Sequence, residues 1–170
     1  MSSARLPRSI FFGVTLAALA RCIYFYPLLP ERMASHFDIS GVPNGWMAKP
    51  VFFGIYAGVW ALSSVVLFVP SRTIAGMPAS RINLPNKEYW LAPERRPATI
   101  AYFERSFAWF GCAVLVLVVL ALDLAMQANL VTPVHLAAGT MLVYLAVFLA
   151  FTIAWVVSLV RHFSTLDSAT

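Results

Sequence analysis

Charge is what this sequence has least of. Only 11% of its 170 residues are Asp, Glu, Lys or Arg, against about 25% in ordinary soluble domains. Cysteine is scarcer still. Cys22 and Cys112 both fall inside apolar runs, which leaves no disulfide framework and no metal-type Cys spacing, and no metal is expected. No P-loop, G-x-S-x-G or H-E-x-x-H pattern occurs, so the common nucleotide, hydrolase and metalloprotease signatures are missing and no cofactor is expected. Internal repeats and low-complexity tracts are absent as well.

What is present is hydrocarbon. The chain is 61% hydrophobic with a mean hydropathy of +0.79. Four apolar runs stand out, about 10–29, 51–69, 107–128 and 134–160, the first holding Arg21 and the third Asp123. A helix needs roughly 20 mostly apolar residues to cross the hydrocarbon core. The expected fold is therefore an all-α integral membrane protein with four transmembrane helices in a single membrane domain, 1–170. A short extracytoplasmic hairpin, 31–50, joins the first two spans, and a longer cytoplasmic connection joins the second and third.

The net charge of +5 is a topology signal, because Lys and Arg resist translocation. Arg5, Arg8, Arg72, Arg81, Lys87, Arg95, Arg96, Arg105 and Arg161 fall on one side of the four-span scheme. Only Arg32 and Lys49 fall on the other, so both termini are expected in the cytoplasm. Arg5 and Arg8 followed by apolar residues and Ala18-Leu19-Ala20 also resemble a signal peptide. Arg21 just after that site, and the apolar chain beyond it, favour an uncleaved anchor.

Two prolines, Pro27 and Pro30, end the first run. Ser35 to Ile39 alternates polar and apolar like a short strand, and Gly41-Val42-Pro43-Asn44-Gly45 is dense in turn chemistry. Gly54 and Gly58 form a G-x-x-x-G pair, expected to pack against a neighbouring span rather than to dimerise. In the long connection, no long helix is expected before about Pro93. Asn86 is expected to cap a short turn, and Pro93 to open a helix leading into the third span. Pro133 suits the first turn of the fourth span. Tyr89, Trp90, Glu94, Arg95 and Arg96 form a candidate cytoplasmic interface. Interleaved rings and cations beside a membrane suit lipid headgroups, and no nucleic acid is expected.

An ionisable group inside a bilayer is costly, which makes each one a functional candidate. Arg21, Asp123 and His135 all fall toward the outer half, where an Arg21–Asp123 ion pair would relieve both desolvation costs. The bland alternative leaves Asp123 at the water interface, Arg21 snorkelling and His135 capping a helix start. On a strand, residues two apart share a face, so His36 and Asp38 can address one ligand, although loop-ordering hydrogen bonds are the simpler role.

The stretch from Leu28-Leu29-Pro30 through Ser35-His36-Phe37-Asp38 to Gly41-Val42-Pro43-Asn44-Gly45-Trp46 resembles a known signature. It is similar to the small membrane domain, of unknown biochemical function, that begins the SdpI-like immunity proteins of bacteria. Pro30, His36, Asp38, Gly41 and Trp46 match its order, and the likeness covers about residues 10–70. Asn83 to Arg96 resembles short stand-alone proteins with the same domain, while the immunity proteins continue with further spans. The resemblance implies a multi-pass protein of the bacterial inner membrane. Its implied role is non-enzymatic: sensing, or protecting against, a membrane-active agent.

On that reading His36, Asp38, Gly41, Asn44 and Trp46 form the outer recognition surface, and the bilayer is the first partner. A homo-oligomer and a membrane or cytoplasmic protein partner both stay open. One alternative is a transport or channel component with Arg21, Asp123 and His135 along a polar path. Another, a lipid-directed enzyme using His36 and Asp38 as acid and base, lacks a nucleophile or a metal set.

Overall fold

The computed structural model describes residues 5–165. The chain enters as helix α1, Arg5–Phe25, and Pro27 then sits in a 3₁₀ turn, Tyr26–Leu28. Two antiparallel strands follow, β1 Arg32–Phe37 and β2 Pro43–Ala48, and β2 runs directly into α2, Lys49–Gly76. A 3₁₀ turn at Ala79–Arg81 and the short helix α3, Lys87–Trp90, lead to α4, Arg96–Ala128, and finally α5, Ala138–Ser164.

Among the described residues three segments, Leu6–Leu28, Arg96–Ala128 and Ala138–Ser164, are long and apolar enough to cross a membrane, which marks a multi-pass membrane protein. The second apolar run falls within α2. At 1.5 Å per residue α4 is about 50 Å long, well beyond a hydrocarbon core of about 30 Å. It is the axis of the molecule, packing against α1, α2 and α5.

Burial is concentrated at two levels of α4. At the hairpin end, Leu124, Ala125, Met126 and Ala128 meet Phe25, Leu29, Met33, Phe52 and Leu136. At the opposite end, Ala108, Cys112 and Leu115 meet Phe11, and the Cys112 thiol donates to the Pro7 carbonyl. Single polar links also tie the helices together. Trp60 Nε1 donates to Thr15 Oγ1 at 3.1 Å, joining α2 to α1. Trp155 Nε1 donates to Ser106 Oγ at 2.9 Å, joining α5 to α4.

Several local expectations are corrected. Gly54 and Gly58 do not admit a neighbouring span: a Cβ at either would meet nothing within 4 Å. The face of α2 that buries Phe52 and Tyr56 is half a turn away, because two residues advance a helix by about 200°. Helix α2 continues past Pro70 to Gly76, where a broken connection is expected from the prolines. Pro93 does not open α4. Residues 92–95 form a turn, with the Arg95 and Arg96 amides both on Ala92 O, and Pro97 takes the first-turn position instead. Pro133 likewise lies outside α5, after a cis bond from Thr132, and the helix starts at Ala138. The residues between are used as a strap: the Leu136 amide donates to Gly41 O at 2.9 Å, and Leu136 is buried.

Candidate functional site

The hairpin carries the outer candidates His36, Asp38, Gly41, Asn44 and Trp46, and its geometry follows from a few side chains. Arg32 pairs with Ala48, Met33 with Met47 and Ala34 with Trp46, after which irregularities on either side of His36 break the ladder. Asp38 lies past the end of β1 and turns its carboxylate into its own loop. Oδ1 accepts from Ser40 Oγ at 2.7 Å and from the amides of Ser40 and Val42, both at 2.9 Å. The Asp38 amide donates to Val42 O, and the Gly41 amide to Asp38 O. These bonds, the Ser40 hydroxyl first and the Val42 amide next, hold the Asp38 carboxyl below the usual carboxylate range. The shared His36–Asp38 strand face is therefore not realised, and Asp38 orders the loop.

His36 faces outward, its Nδ1 at 3.1 Å from Ser35 Oγ, with its ring and Cβ against the site a Gly45 Cβ would occupy. Gly41 has φ of +87°, and a Cβ there would collide with Leu136 O and crowd the His135 ring. Glycine is required at this position both by backbone conformation and by space. Asn44 and Trp46 are exposed on β2, Trp46 at 44%, and Ile39 stands at the loop tip at 88%.

The floor under the hairpin was not legible in the sequence. Asn129, at the end of α4, is buried and spans the backbone of Ala34: Oδ1 accepts from Ala34 N at 2.7 Å, and Nδ2 donates to Ala34 O at 2.9 Å. Its carboxamide thus acts as a strand partner one residue long. Lys49 is also buried, its Nζ donating to Leu29 O at 3.0 Å and pairing with Glu31 at 2.8 Å. The apolar run stops at Ala128, so Asn129 falls outside the expected spans. A carboxamide directly after such a run was the one available signal.

Within the helices Arg21 and Asp123 meet. Arg21 Nε donates to Oδ1 at 2.7 Å and a terminal nitrogen to Oδ2 at 2.8 Å, a bidentate fork that joins α1 to α4. Gln127, one turn along α4, adds a 2.6 Å bond to Oδ2, and the guanidinium lies 4.6 Å from the Phe25 ring centroid. His135 belongs to the strap beside Gly41, so the three candidate intramembrane residues do not form one set. Among the described residues, no three His, Cys, Asp or Glu side chains converge in a metal-ligating arrangement.

The candidates in the long connection divide into inward and outward groups. Trp90 Nε1 donates to Phe163 O at 3.0 Å, and Asn86 Nδ2 to Phe163 O at 3.1 Å. Asn86 therefore caps the end of α5 rather than the start of α3, where its φ of 51° gives no side-chain cap. Arg96 donates to Met77 O at 2.6 Å, tying the end of α2 to α4. Arg95 stays near the surface, 4.0 Å from the Tyr89 ring centroid and 3.6 Å from Glu94.

Residues 13–59 match the model of a family described as a domain of unknown function, DUF1648. The matched stretch takes in most of α1, the whole hairpin and the first residues of α2. No curated protein and no solved structure matches the chain.

Proposed function

We propose that the domain at residues 13–59 presents its hairpin as a recognition surface, in a non-enzymatic protein that senses or resists a membrane-active agent. The protein is a four-span component of a bacterial inner membrane, with both termini cytoplasmic and the hairpin outside. The charge asymmetry supports that topology: nine basic residues flank one side of the spans and two the other. The length of α2, 28 residues, is enough for the fourth crossing.

One observation carries the functional reading. The hairpin is clamped to the bundle by Asn129, Lys49 and the Leu136 strap, yet it leaves His36, Asn44, Trp46 and Ile39 open to its surroundings. A rigid platform with exposed aromatic and polar groups suits binding better than turnover. Transport finds less support. Its candidate path needs Arg21, Asp123 and His135 together, whereas Arg21 and Asp123 are closed on each other and His135 lies in the strap.

The test is survival of a deletion strain challenged with a panel of membrane-active peptides. Complementation with wild type and with His36→Ala/Trp46→Ala would run side by side at matched membrane abundance. Asp38→Ala is a poor probe, because it dismantles the loop as well as the surface. Protection by wild type alone supports the reading. Equal protection by the double variant removes the hairpin from the role, and an unaffected deletion strain removes the role itself.

A further inference from the structure

At the end of the bundle opposite the hairpin, α3, the first turns of α4 and the last turn of α5 enclose a slot of about 400 Å³. We propose that this slot binds a phosphate-bearing anion, specifically the headgroup of an anionic phospholipid. Its walls are Tyr89, Trp90, Tyr102 and His162, and its cations are Arg95 and Arg105. Thr99, Tyr102 and Arg105 follow one face of α4 at helical spacing and Arg95 caps its start, so at 1.5 Å per residue the two guanidinium-bearing residues stand about 15 Å apart along the axis. The result is an elongated site with a cation toward either end.

The aromatic walls alone would equally suit a quaternary ammonium. Charge decides against that, because a cation entering the slot would face Arg95 and Arg105. Arg105 rests 5.6 Å from the Tyr102 ring centroid, and no described carboxylate lies within ion-pair distance of it. Glu94 sits 3.6 Å from Arg95 but is two-thirds exposed, too loose and wet to neutralise the site. Guanidinium is the cation best matched to a phosphate fork.

Depth chooses the lipid over a free anion. Arg105 is followed at once by the apolar stretch beginning at Phe107, so it stands where α4 leaves the hydrocarbon, and Arg95 stands about three turns further into water. The walls are already rigid: Tyr102 and His162 stack at 3.8 Å between centroids, and Trp90 is held through its indole N–H to Phe163 O. A headgroup therefore enters a preformed slot. The inference rests on the multi-pass reading and not on recognition of any outside agent.

The test uses the detergent-purified full chain and native mass spectrometry. Short-chain phosphatidylglycerol, short-chain phosphatidylcholine and inorganic phosphate are the probes. Phosphatidylglycerol should bind in preference to phosphatidylcholine, and inorganic phosphate should not displace it. Arg95→Gln/Arg105→Gln should weaken phosphatidylglycerol by at least about tenfold, and Arg81→Gln, which lies outside the slot, should not. Equal binding of the two lipids by wild type overturns the proposal without any variant being needed, as does an equal loss in Arg81→Gln. Displacement by inorganic phosphate overturns the lipid assignment in favour of a soluble anion. None of these outcomes bears on the peptide-survival test, so the two readings fail separately.

Discussion

Asn129 is the residue on which the hairpin depends most directly. It satisfies both backbone groups of Ala34, a residue with no accessible surface, and it also donates to Ala125 O at 2.8 Å. Asn129→Leu leaves a buried N–H and a buried C=O without partners, at a cost of about 1–3 kcal/mol each. We expect a clear drop in thermal midpoint in detergent, with proteolysis opening in the hairpin before the helices. Asp38 acts on the same loop through charge. Its carboxyl is held below the usual range, so the sign of the pH effect is set. The loop's extra stability is fully present above the unfolded value of about 4 and is lost as pH falls through the lower folded value. Protection of the Ser40 and Val42 amides from hydrogen exchange should be flat from neutral pH to about 5 and should fail only below about 4. Asp38→Asn should remove that dependence.

At the scale of elements, the bidentate Arg21–Asp123 pair is the polar weld between α1 and α4. The Arg21 side chain keeps 46% of its surface and Asp123 20%, so neither charge is fully enclosed by protein. In a bilayer, however, the exposed part of Arg21 faces lipid or headgroups rather than bulk water. Removing one partner leaves an uncompensated charge there, whereas removing both leaves none. Asp123→Leu should therefore destabilise by about 2–4 kcal/mol, and Arg21→Leu/Asp123→Leu by clearly less than the single change. Chemical unfolding in mixed micelles reads the difference, and additive losses would argue that the pair adds nothing. The strap shows a second element-scale device. The nine residues between α4 and α5, 129–137, are spent reaching back to Gly41, which is why α5 begins later than its apolar run.

For the whole molecule the decisive question is sidedness. The proposed four-span arrangement would place the loop tip at Ile39 outside and the connection at Ser80 inside. In a background with Cys22 and Cys112 replaced by Ser, Ile39→Cys should react with an impermeant maleimide on intact spheroplasts. Ser80→Cys should react only after permeabilisation. Labelling of both from outside would mean that α2 does not cross. The two burial clusters also divide the molecule by task. The hairpin end is a packed core with a clamped platform. The other end is held by three aromatic and amide bonds to the tail of α5 and encloses the basic slot.

Apolar length and charge placement are one-dimensional quantities, and the sequence by itself determined what depends on them: the membrane class, the long helices and the turn at Gly41. It also determined that Arg21 and Asp123 stand at similar depth, because rise per residue is nearly constant in a helix. Partner choice across the bundle depends on helix rotation and loop path, which no local pattern encodes. Only the tertiary structure decided that Asn129 lies under Ala34, that His135 joins Gly41 rather than Asp123, and that Gly54 and Gly58 face away from α4. Likewise it showed Asn86 reaching residues 77 and 78 positions away. The physical reason is the same in each case. A buried polar group must find a partner, and which group that is depends on which helices are side by side.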